Sequence, residues 1–319
     1  MRGWGALLLL LLTETSVSAD SPGLIDQPQT FPWSVGLTPV VQEEAGGLEK
    51  GAFRLRSSVL WFNTYRQFGE ADDMIQQIDM EGLLATVSGV WSPAQEWELR
   101  GQIQGWSLGG GFMDPVLSSF HHALGTANQG RENAPLNGYR DFLSGAFDDR
   151  APASGLTQAS VGVRKWAGPW SWTSWVKLPV PAHAGWGWSS RWGGGFGMGW
   201  GDRWRWPEAR LIWGAGLSGA LVLMDSEPTI PGVAGTATVQ GGFYTTLDWS
   251  LGLRFLVQGT WTKVPGNGEG YLGQGAGLLT MGFQVPLDKH WTYEDALTEE
   301  FLTWATMEVG FQTGLVWKP

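Results

Sequence analysis

Odd-numbered positions from 243 to 261 read Phe243, Thr245, Leu247, Trp249, Leu251, Leu253, Phe255, Val257, Gly259 and Trp261. Between them stand Asp248, Ser250, Arg254, Gln258 and Thr260. Successive strand residues point to opposite faces, so this stretch predicts a strand with one oily face and one wet face. The pattern recurs along the chain. Phe53, Leu55, Val59 and Trp61 alternate with Arg54, Arg56 and Ser58. Leu83, Ala85, Val87, Gly89 and Trp91 make the oily side of the next strand, and Ser92-Pro93-Ala94 reads as a short turn. Trp97, Leu99, Gly101 and Ile103 then alternate with Glu96, Glu98, Arg100, Gln102 and Gln104. Val161 and Val163 oppose Arg164, and Trp170, Trp172 and Val176 oppose Ser171, Thr173 and Lys177. Residues 185–206 place their tryptophans at even positions, while Leu211, Trp213 and Leu217 follow at odd ones. Leu279, Met281 and Phe283, then Phe311, Leu315 and Trp317 opposed by Glu308, Gln312 and Gly314, complete the series.

Two segments break the alternation. Asp114 can cap a helix, Pro115 suits its first turn, and Val116, Phe120 and Leu124 recur at helical spacing before Gly125. Thr292 and Asp295 have capping-box spacing and predict a second helix reaching Leu302.

An alternating oily face can meet a protein core or a bilayer. Composition separates the two. The chain holds 22 tryptophans and 48 glycines, but only 16% of its residues are charged, against ~25% in soluble domains. A β-sandwich explains the alternation but not so much tryptophan on the apolar face. A membrane barrel explains both, because aromatic girdles sit at both interfaces. The expected fold is all-β: a closed antiparallel transmembrane β-barrel of about 12 strands, within roughly 10 to 14, with one or two short helices in loops or lumen. On this reading Trp61, Trp91, Trp97, Trp172, Trp213, Trp249, Phe255, Trp261, Phe311 and Trp317 face lipid or form the girdles. Arg54, Arg56, Glu98, Arg100, Arg164, Lys177, Arg254, Gln258 and Glu308 line the lumen.

Residues 1–19 fit a secretory signal, with Arg2 before Leu7 to Leu12 and Val17-Ser18-Ala19 as the cleavage site. Residues 20–51 read as a lead-in or plug, and 52–319 as the barrel with an irregular insertion at 107–155. Export points to the bacterial outer membrane. The absence of cysteine removes disulfides and thiolate metal sites. A net charge of -10 argues against nucleic acid as a partner. Outer-membrane lipid, the barrel insertion machinery and a small-molecule solute are the partners expected. Gln312-x-Gly314-x-x-Trp317 resembles the C-terminal signal that such machinery reads, although this chain finishes Lys318-Pro319.

The stretch from Trp97 to Asn133 carries a more specific resemblance. Gly110, Gly111, Phe112, Met113 and Asp114 are followed by Phe120, His121, Leu124, Gly125 and Arg131. This series resembles an uncharacterised family of bacterial outer-membrane β-barrels, domain-of-unknown-function family 3187. Weaker similarity covers Gln27 to Pro39 and Lys177-Leu178-Pro179; relatives continue from there with Thr-Gly where this chain has Val180-Pro181. The resemblance implies a membrane barrel and no known activity.

Candidate chemistry is sparse. Gly105-Trp106-Ser107-Leu108-Gly109 matches the nucleophile elbow of hydrolases, with His121 or His122 as a base. Chance matches are expected in a glycine-rich chain without alternating strands and helices. Asp114, His121 and Arg131 form a polar constellation of the insertion, for which helix capping by Asp114 is the plainer account. No metal or cofactor motif is present. The expected function is a channel or passive transporter for small molecules. The alternatives are a membrane-embedded lipid or ester hydrolase at Ser107 and a structural or partner-binding barrel.

Overall fold

The computed structural model describes residue 24 and residues 46–68, 76–124, 140–143, 146–149, 153–180, 192–205, 209–222, 237–249, 252–263, 276–302 and 309–319. In chain order the elements are β1 (Phe53–Phe68), β2 (Gln76–Ala94), β3 (Trp97–Gly109), helix α1 (Asp114–Leu124), β4 (Arg140–Leu143), β5 (Ala146–Asp149) and β6 (Ala153–Ala167). Then follow β7 (Trp170–Leu178), β8 (Gly193–Arg205), β9 (Ala209–Val222), β10 (Ala237–Trp249) and β11 (Arg254–Lys263). The last three are β12 (Ala276–Pro286), β13 (Trp291–Leu302) and β14 (Val309–Trp317).

All pairings are antiparallel, and β1 pairs with both β2 and β14. The ring therefore closes on 12 strands, with β4 and β5 standing outside it as a hairpin on the far end of β2. Closure leaves no open edge among the barrel strands, which is the condition for a sheet surrounded by hydrocarbon. The strand ends flanking 95–96, 168–169, 206–208, 250–253 and 287–290 lie at one mouth, together with the start of β1 and the end of β14. The strand ends that the longer connections join lie at the other mouth. Short turns at one end and long loops at the other are the usual asymmetry of outer-membrane barrels.

Inward positions are even in β1, β2, β3 and in β6 from Gln158 onward. They are odd in β6 before its bulge opposite Gln104 and Gly105, odd in β7 and β8, and even along most of β9 to β14. The changes at β7 and β9 follow from hairpin register: Arg164 pairs with Thr173, and Ile212 with Arg203. Trp175 is thereby turned inward and buried, while Trp170 on the same strand is exposed on the outer face.

Three sequence expectations need correction. Residues 292–302 are strand, not helix: β13 pairs with β12 and β14 along its length. The insertion is shorter than 107–155, because 107–109 close β3 and 153–155 open β6, and it contains α1 and the β4–β5 hairpin. The first tight turn is not at Ser92–Ala94 but at 95–96, where Glu96 takes the left-handed conformation at φ 65°. Helix α1 does begin at Asp114, followed at once by Pro115.

Candidate functional site

The wall organises the interior into two zones. Near the short-turn mouth the inner face is ionic. Arg56 Nε lies 3.2 Å from Glu294 Oε1, and Gln284 Nε2 donates to Glu294 Oε2 at 3.1 Å. Asp248 accepts from Arg254 Nε at 2.5 Å and Nη2 at 2.9 Å, and from Arg210 Nε at 2.9 Å. Glu98 accepts from Arg100 Nη2 at 2.5 Å, and Arg164 Nη1 approaches the same oxygen at 3.5 Å. Glu98 and Asp248 thus each serve two arginines from different positions of the wall, and Glu294 an arginine and an amide. Removed from water, a lone carboxylate would be costly, and these arginines supply the compensation.

The segment before β1 reaches into this zone. Leu48 N–H donates to Glu98 Oε1 at 2.8 Å, and Arg164 Nη1 donates to Gly46 O at 2.7 Å. Gly47 lies against the Trp166 ring so closely that a Cβ there would overlap it. Further upstream, Leu24 is buried in a cluster with Ile212 and Tyr244, both inward-facing.

Toward the long-loop mouth the β1–β3 side of the lumen becomes apolar. Leu60, Phe62, Leu84, Trp106 and Leu108 are all buried there. Gly82 makes room: a Cβ would strike Phe62 and Leu108. The opposite side, from β10 to β13, carries hydrogen-bonding side chains, with Gln258, Thr260, Thr280 and Thr298 buried and Thr280 and Thr298 hydroxyls 2.7 Å apart.

Of the residues named from sequence for the lumen, Arg54, Arg56, Glu98, Arg100, Arg164, Lys177, Arg254 and Gln258 occupy inward positions, and Glu308 lies outside the described residues. The ten girdle candidates occupy outward positions, but Trp61 is not a free girdle residue. Its Nε1–H donates to Glu81 Oε1 at 2.7 Å, and its ring meets Phe112 at 4.5 Å. Glu81 also accepts from the backbone N–H groups of Phe112 at 2.9 Å and Met113 at 2.6 Å. Gly111 comes just before them at φ 61°, where a Cβ would fall inside the Glu81 carboxylate. Only glycine serves there, for both backbone and space. Asp114 is buried and accepts from Asn63 Nδ2 at 3.1 Å. Because Asn63 and Glu81 are outward positions, the start of α1 is fastened to the outside of the β1–β2 wall.

The constellation of Asp114, His121 and Arg131 is not assembled among the described residues. Asp114 bonds to Asn63, while the His121 side chain and all of Arg131 lie outside them. His122 is exposed on α1. Ser107 forms no elbow: it lies within β3, on an outward position, paired with Leu83 and Ser154. It lacks the strained strand-to-helix turn that exposes a hydrolase nucleophile. Sequence reading missed Glu81, Arg210, Asp248, Gln284 and Glu294. Asp248 was legible as a wet-face residue; Glu294 was hidden by the helix expected at 292–302.

No family model matches the chain, and no curated protein matches it in sequence. Among solved structures it is similar to an outer membrane channel from Pseudomonas putida F1, with TM-score 0.53 and 9% identity over 88% of this chain and 100% of that one. The translocator domain of autotransporter NalP from Neisseria meningitidis gives TM-score 0.45 and 12% identity, covering 84% and 89%. The Pseudomonas putida toluene transporter TodX gives 0.41 and 7%, covering 92% and 98%. The likeness to the first of these is one of fold: a closed 12-strand antiparallel β-barrel built like an outer-membrane channel.

Proposed function

We propose that the chain is a bacterial outer-membrane barrel that passes small molecules through its lumen. The segregation of faces around a closed ring carries this reading. Leu83, Val87, Leu99, Ile103, Leu217, Phe243, Phe255 and Phe311 are exposed on the outside, while most charged strand residues turn inward. In water so much apolar surface would drive association; in a bilayer it is the solvent-matched face. The alternation, the signal-like residues 1–19 and the last strand offered to the insertion machinery support the same placement. The series from Gly110 to Arg131 supports membership of the uncharacterised barrel family it resembles.

Planar-bilayer recording on the refolded full chain tests the reading. Discrete conductance steps, with swelling of protein-loaded liposomes in small solutes, are the expected result. Silence in both assays removes the channel. A second reading, a barrel that binds a partner, is favoured by the β4–β5 hairpin that prolongs β2 beyond the wall.

A further inference from the structure

Between β7 and β11 the inner wall carries mostly glycine, bordered by the small side chains of Ser171 and Ser218. In register across three strands lie Gly199, Gly216 and Gly242, with Gly197 one step toward the long-loop mouth. Strands are about 4.8 Å apart and same-face neighbours about 7 Å along a strand, so this floor is the size of one or two six-membered rings. Aromatic rings stand at its two ends. Tyr244 leans over Gly214 on the short-turn side, and Trp175 over Gly195 on the long-loop side.

Two polar side chains border the floor with hydrogen-bonding capacity unused. Thr260 pairs in register with Gly242; it is 2% exposed and its hydroxyl has no partner among the described residues. Gln240 pairs with Ser218; it is 5% exposed, its Oε1 lies 3.5 Å from Ser218 Oγ, and its Nε2 has no partner among the described residues. A buried donor left unmade costs free energy that a bound acceptor would return. Neither register row carries a charged side chain from β7 to β11.

We propose that this glycine floor is a binding niche for a neutral saccharide, resting on the channel reading above. A sugar ring lies its C–H face flat on backbone and against the Tyr244 and Trp175 rings. Its hydroxyls accept from Gln240 and exchange with Thr260. A plain hydrocarbon would leave both groups unpaired, and a charged solute meets no counter-charge in these rows.

Equilibrium dialysis of the folded full chain in detergent against labelled maltotriose reads the niche without any flux. Binding saturates in the native protein and disappears in Gly216→Leu. Thr260→Val, which keeps shape and loses the hydroxyl, weakens it about fivefold and serves if the leucine variant does not fold. Gly101→Leu, placed in open space on the outer face, leaves binding unchanged. No saturable binding, or binding that Thr260→Val leaves untouched, overturns the niche. Conductance without binding rejects the niche alone; binding without conductance rejects the channel alone.

Discussion

Asp295 is a carboxylate on the outer face of β13, in register between Phe283 and Thr313. Its neighbours on that face include the Phe283 and Tyr293 rings, 6.3 Å apart. If lipid bathes this surface, the charge is a liability, though smaller than the ~2–4 kcal/mol of a midplane arginine. Asp295→Leu is expected to stabilise the barrel by about 1 kcal/mol, seen as a higher urea midpoint in lipid vesicles. An unchanged or lower midpoint would count against a lipid-bathed position. The same residue shows where sequence reading stopped. Placed on the oily side, Asp295 interrupts the alternation, and its spacing from Thr292 imitates a capping box. Arg54, Arg56, Glu98 and Arg100 were legible because strict alternation surrounds them; Glu294 was not.

At the level of elements, β13 shows tertiary pairing overriding local preference. Its run of Glu, Asp, Ala and Leu favours a helix, yet hydrogen bonds to β12 and β14 hold it extended. The turn that leads into it has its own device. Asp288 Oδ1 accepts from the backbone N–H of His290 and of Trp291, each at 2.7 Å. These bonds, the one from His290 foremost, hold the exposed Asp288 carboxyl below the ordinary carboxylate range. A carboxyl depressed in the folded state stabilises above its unfolded value, and that contribution is lost as pH falls through the folded one. Amide exchange at His290 and Trp291 should therefore quicken, beyond its intrinsic pH trend, as pH drops below the ordinary carboxylate range and through the depressed folded value, and Asp288→Ala should abolish that excess. An excess that survives in the alanine variant would assign the sensitivity elsewhere. The β12–β13 turn, unlike the strands, was beyond sequence reading, since its existence depended on recognising β13.

Across the whole molecule, charge and its placement disagree in sign. The chain is acidic, at -10, yet the inner face near the short-turn mouth sets Arg54, Arg56, Arg100, Arg164, Arg210 and Arg254 against Glu98, Asp248 and Glu294. A positive excess in a narrow, low-dielectric passage concentrates anions. In a potassium chloride gradient the reversal potential should report chloride preference despite the acidic chain; potassium preference would refute it. Length and alternation bring the strand number only to about 12, within roughly 10 to 14; the pairing of β1 with β14 makes it 12. The glycine floor was not legible, because strand glycines gain meaning only when register sets them side by side. That register also brings Leu55 next to Trp317, so the ring has no privileged first member. A short peptide bridging those two ends, with a new opening cut in any long connection, would give a circularly permuted barrel with the same wall.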